Sequence, residues 1–117
     1  MTVNILGTPY EIIVKKYNED DCFKERSIDG YCDGFSKEIV VCDMATNEDW
    51  KDEKKQTIDV LQKQILRHEI VHAFLNESGL TQNTNTVNAW AVNEEMVDWI
   101  ALQGEKIYKA WQEVNAL

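Results

Sequence analysis

The apolar positions change period partway along the 117-residue chain. Up to Asp43 they cluster in short β-branched stretches separated by turn formers, and beyond Asp49 they recur at three- and four-residue intervals. The first regime reads as strands and the second as helices. "TVNIL" and "YEIIVKKY" flank Gly7, Thr8 and Pro9, residues rich in turn formers, which predicts a hairpin. The acidic, aperiodic "NEDDCFKE" predicts a loop or a short helical turn. "SIDGYCDGFSKEIVVCD" carries two Asp-Gly pairs ahead of Ile39, Val40 and Val41, which predicts a second hairpin with residues 38–43 as its clearer strand.

From about Asp49 to Glu77, charged residues give way to Ile58, Leu61, Ile65, Val71 and Leu75, the spacing of one helix face. Gly79 is a suitable stop just beyond it. The polar "LTQNTNTVN" reads as a connecting loop, followed by a second helix from about Val87 to Leu102. "EKIYKAWQEV" adds a third helix or a continuation past Gly104. No repeat or linker divides the chain. Strands followed by helices predict an α+β fold: one domain over residues 1–117, with a small antiparallel or mixed sheet packed on two to three helices.

Charge and cysteine content narrow the partners. With 21 acidic against 12 basic residues, the net charge of −9 opposes nucleic acid and anionic membrane alike. The opening "MTVNILGTPYEIIV" lacks a basic segment followed by a long apolar run, so a cytoplasmic site of action is expected. Cys22, Cys32 and Cys42 are odd in number and form no CxxC pair, which favours reduced thiols over a disulfide framework or a thiolate metal cluster.

The strongest chemical signal is "RHEIVHAFLNESG", residues 67–79, which contains both histidines of the chain. At about 100° per residue, His68 and His72 project within about 40° of each other, so their ring nitrogens converge. Glu69 points about 100° away from His68. H-E-x-x-H on a helix suits zinc for this reason: two imidazoles fill two tetrahedral positions, and the glutamate reaches the attacking water instead of the ion. Without an ion, two imidazoles on an apolar face leave polar atoms to satisfy.

A catalytic zinc needs a third protein ligand. "WAVNEEMVDWIA" supplies Glu94, Glu95 and Asp98. On a helical wheel Glu94 lies near the centre of the face formed by Trp90, Ala91, Val97 and Ala101, and Glu95 is displaced by about 100° to its margin. Asp98 is placed to accept a hydrogen bond from a ligand histidine.

HEIVH followed some twenty residues later by NEEMVD resembles the zincin metallopeptidases with a glutamate third ligand, whose thermolysin-like members carry NExxxD. Asn93, Glu94 and Asp98 match that pattern position for position, whereas Glu95 adds a second acid. The small size and the strands ahead of the HExxH helix are similar to compact phage and prophage-type zinc peptidases, including the ImmA/IrrE group. The likeness covers residues 67–79 and 90–101, and the N-terminal half matches only in layout.

The resemblance implies a peptidase acting on a peptide or protein, with one zinc ion held by His68, His72 and Glu94. Zinc would lower the pKa of a bound water to about 7, and Glu69 would accept the proton and deliver it to the leaving amine. A second oxyanion donor is implied too, for which Tyr31, Tyr108 and Arg67 are available. A sheet-edge strand beside the HExxH helix would hold the substrate extended by backbone pairing, with residues 38–43 as the candidate. The alternative is a zinc-binding interaction module of phage or prophage origin, which needs the three ligands but not Glu69. A structural protein that binds no metal is the third reading.

Overall fold

The computed structural model describes residues 1–82, 89–115 and 117. Four strands, β1 (Thr2–Ile5), β2 (Thr8–Lys16), β3 (Gly30–Asp33) and β4 (Glu38–Asp43), form one sheet in the order β1-β2-β4-β3. β2 and β4 are parallel, and the two outer pairings are antiparallel. The helices are the short α1 (Cys22–Glu25) and the longer α2 (Lys55–Glu77) and α3 (Glu94–Glu113), joined in places by 3₁₀ turns. The fold is therefore α+β with a mixed sheet. Among the described residues no helix is long and apolar enough to cross a membrane.

Both expected hairpins form. In the first, Ile5 faces Thr8 across a turn at Leu6 and Gly7, so Thr8 and Pro9 belong to β2 and not to the turn. In the second, Asp33 Oδ1 accepts from the backbone N–H groups of Phe35 (2.8 Å) and Ser36 (3.1 Å), ordering the reversal between β3 and β4.

The strand at residues 38–43 is not at the sheet edge. β4 lies inside, paired with β2 on one side and β3 on the other. The physical reason is its unbroken run Ile39, Val40, Val41 and Cys42, all buried: alternate residues face opposite sides, so such a run needs cover on both, which suits an interior strand. The short, less apolar β3, ending at Asp33, takes the edge beside α2.

α2 begins at Lys55, later than its charged approach suggested, because Asn47 accepts from Asp49 N–H (3.0 Å) and caps a 3₁₀ turn over Glu48–Trp50 first. It ends where Ser78 N–H reaches Phe74 O (3.0 Å) and Gly79 takes φ +81°, a left-handed exit that glycine adopts without strain. One side of α2 packs Ile58, Leu61, Ile65 and Ala73 into the sheet core with Ile5, Tyr10, Ile39 and Val41. Another packs Val71 and Leu75 against Ala91 and Val97. The histidines lie between these two faces.

α3 runs through Gly104 without a break, so the third helix is a continuation of the second. Trp90 and Ala91 precede it in a 3₁₀ turn (Trp90–Val92), so the helix face expected to join them to Val97 and Ala101 does not exist as such. Ala91 is nonetheless buried beside Val97, whereas Trp90 is exposed. The expected helix start at Val87 lies outside the described residues, as does most of the connecting loop.

Candidate metal centre

The site is assembled by one turn of α2, the first turns of α3 and the edge strand. Asn93 Oδ1 accepts from Met96 N–H (2.8 Å) and caps α3. The cap makes Glu94 the first helical residue and Asp98 the residue one turn on, both turned toward α2. Its position at a helix N-terminus also favours the Glu94 carboxylate. N-E-x-x-x-D thus has a local physical content: cap, first-turn acid, and second acid on the same face.

His68 Nε2 and His72 Nε2 are 3.1 Å apart, and Glu94 Oε2 lies 3.1 Å from the first and 3.2 Å from the second. The three atoms make a nearly equilateral triangle. Zinc–ligand distances of about 2.0–2.1 Å in a tetrahedron place ligand atoms about 3.3–3.4 Å apart, so a small outward breathing of the triangle fits the ion. Among the described residues this is the one group of three or more ligating side chains so gathered. Glu95 is exposed and stands outside it.

Asp98 Oδ1 lies 2.6 Å from His68 Nδ1. A ring proton at Nδ1 donated to that carboxylate leaves the Nε2 lone pair aimed into the triangle. Burial pushes the imidazolium pKa of His72 down, which keeps that ring neutral and able to ligate.

Glu69 is only 5% exposed. Its Oε1 stands 4.0 Å from His68 Nε2, beside the triangle and not in it. Burial pushes its carboxyl up to about 7, with Glu94 and Asp98 adding to the rise and His68 opposing it. A carboxyl poised there takes and returns a proton near neutral pH.

The room for Glu69 comes from Gly30 on β3. A Cβ on that residue would meet Glu69 Cγ at 3.0 Å, Val40 O at 3.0 Å and Glu69 Oε1 at 3.1 Å. In the sequence Asp29-Gly30 reads as a turn signal, and this contact is not among its expectations. A lone glycine opening a strand run was the available clue.

Glu77, also unforeseen, anchors the last turn of α2 to the sheet. Its Oε1 accepts from Thr8 Oγ1 (2.6 Å), and its Oε2 accepts from Tyr10 OH (2.9 Å) and Lys37 Nζ (2.7 Å). These donors hold its carboxyl down to about 2, Lys37 contributing most. The clasp fixes the helix one turn beyond His72.

A cleft of about 630 Å³ runs over the triangle between α2 and β3. Cys42 N–H bonds to Asp29 O (2.8 Å), and the antiparallel alternation this sets leaves the backbone groups of Gly30 and Cys32 facing the open edge. Of the three expected oxyanion donors, Tyr31 borders the cleft but its hydroxyl is donated to Asp20 Oδ2 (2.6 Å). Arg67 Nε donates to Ala101 O (2.8 Å), tying α2 to α3. Neither Arg67 nor Tyr108 lines the cleft. Compared with known protein families, with curated proteins and with solved structures, the chain gives no match in any of the three.

Proposed function

We propose that the protein is a zinc-dependent peptidase of the zincin type, with His68, His72 and Glu94 as metal ligands and Glu69 as general base. The observation that carries this reading is the 3.1–3.2 Å triangle of ligating atoms with a buried carboxylate at its side. Zinc, when bound, supplies a Lewis acid that polarises a carbonyl and acidifies water. Asp98 orients the His68 ring through Nδ1, and Asn93 sets the helix start that presents Glu94. Glu69 takes the proton of the attacking water and returns it to the leaving nitrogen. The open edge of β3 pairs with the backbone of an extended substrate, a role expected of residues 38–43 but better suited to residues 30–33.

A zinc-dependent docking module has no use for a carboxylate buried beside the triangle, and Gly30 accommodates that carboxylate at a close approach. The compartment proposed is the cytoplasm, where the free thiols of Cys22, Cys32 and Cys42 are kept reduced. Two measurements test the reading. Elemental analysis after tag removal is expected to find close to one zinc per chain, and a folded protein that takes up none at neutral pH overturns the metal site. Glu69→Gln is expected to keep the zinc and lose roughly 10²- to 10⁴-fold in peptide hydrolysis; undiminished activity overturns the assignment of the base.

A further inference from the structure

The direction of β3 along α2 divides the cleft into two ends. Gly30 packs on Glu69, and further along the strand Cys32 Sγ accepts from Asn76 Nδ2 (3.6 Å). Strand and helix therefore advance in the same direction. Going backwards from Gly30, the strand direction places Ile28 toward the end lined by Leu61, Gln64 and Ile65, and Arg26, which also lines the cleft, follows on that side across a turn at Ser27 (φ +52°). That end has an apolar floor of Ile28, Leu61 and Ile65, with Arg26 exposed at its rim.

The charges of the cleft are unevenly provided for. Glu94 and Asp98 face the histidines, and Asp29 Oδ1 accepts from Asn47 Nδ2 (3.4 Å). Arg26 is the one lysine or arginine lining the cleft, and its guanidinium has no hydrogen-bond or ion-pair partner among the described residues. We propose that Arg26 determines substrate specificity by receiving a carboxylate of the bound peptide, so that the substrates of this site are extended segments carrying an apolar side chain near the cleaved bond and an acid farther out. The proposal rests on the peptidase reading for the position of the cleaved bond.

The placement follows from sign and distance. Acids next to the bond would meet Glu69, Glu94 and Asp98 and be repelled, while at the other end the guanidinium offers a planar fork of donors that matches a carboxylate. Arg26 lies beyond Ile28 across the turn at Ser27 (φ +52°), so the acid belongs away from the residues flanking the bond, on the Leu61 side only. The carboxylate has two sources, an Asp or Glu side chain or the free C-terminus of a short peptide.

The test measures binding of fluorescent peptides to zinc-loaded Glu69→Gln protein, so that affinity is read without turnover. Peptides carry Glu, Gln or Lys at each position up to four residues either side of an apolar residue, and short versions end in a free or amidated C-terminus. The expected result is about five- to tenfold tighter binding of Glu over Gln at one position on one side only. Arg26→Gln is expected to abolish that preference, and Arg26→Glu to turn it toward Lys. The free-against-amidated pair distinguishes the chain terminus from a side chain. Both variants keep the backbone N–H of Arg26 that closes α1 on Cys22 O (3.0 Å), and melting curves verify the fold. Lys51→Gln, the same charge change away from the cleft, is the control. A preference that survives Arg26→Gln, or one lost equally in Lys51→Gln, overturns the proposal. Cleavage by the parent with no preference for an acid overturns Arg26 and leaves the peptidase reading intact. Acid-dependent binding without cleavage in the parent does the reverse, and absence of all peptide binding defeats both.

Discussion

Gly30→Ala is expected to destabilise the protein and slow its proposed reaction, although the same change in an ordinary strand is favourable. Replacing a strand glycine by alanine normally gains about 0.5–1 kcal/mol, because glycine loses more conformational freedom on folding. Here the new Cβ lies 3.0–3.1 Å from Glu69 Cγ, Glu69 Oε1 and Val40 O, where ordinary contacts begin at 3.4 Å. Relief requires Glu69 to move by about 0.4 Å or β3 to lift away from α2, and the backbone oxygen of Val40, held in the central strand, resists. Overpacking of this kind costs about 1–3 kcal/mol, so after the entropic gain a net loss of up to about 2.5 kcal/mol, centred near about 1 kcal/mol, remains. Urea denaturation of parent and variant reads it directly. Glu69→Ala removes two of the three contacts, so in that background the cost of Gly30→Ala should shrink by at least about 0.5 kcal/mol, the double-mutant coupling of touching groups. Activity should fall more steeply than stability, since displacing a base by less than 1 Å costs up to about 10²-fold. Equal stability of Gly30→Ala and parent, or the same loss in both backgrounds, would refute the claim that Gly30 exists to admit Glu69.

Gly104→Ala, in the middle of α3 with nothing near the added Cβ, should stabilise by about 0.8–1 kcal/mol in the same denaturation assay. Asp98→Ala should weaken zinc affinity about 10- to 100-fold by freeing the His68 ring, whereas Glu94→Ala should lose more and Glu95→Ala almost nothing; competition with a chelator dye ranks the three. The Glu77 carboxyl, held down to about 2, stabilises the fold fully at pH values above its unfolded range, and that contribution is lost as pH falls from about 4.5 toward 2. Thermal melts across that window should fall less steeply in Glu77→Gln than in the parent, which starts more stable at neutral pH; parallel curves would refute the clasp.

His68, Glu69 and His72 were legible in the sequence because their relationship is local: within one helix, spacing alone fixes which side chains converge. The same holds for the two hairpins and for Asp98, one helical turn beyond Glu94. The choice of Glu94 over Glu95 was half legible. The wheel turned Glu94 toward α2, where its Oε2 meets both histidines although the side chain is largely exposed, yet it leaned on Trp90 and Ala91, which belong to a 3₁₀ turn, and it is the cap at Asn93 that sets the phase of α3. Strand order lay beyond local reading. The run Ile39 to Cys42 marks a strand covered on both faces, but which neighbours cover it depends on pairings between segments far apart in sequence, so only the folded sheet put β4 inside and β3 at the edge. The approach of Gly30 to Glu69, thirty-nine residues on, and the gathering of Thr8, Tyr10 and Lys37 on Glu77 are of the same kind. No periodicity carries them, because they arise only when the sheet and a helix are brought within contact distance by the burial of their apolar faces.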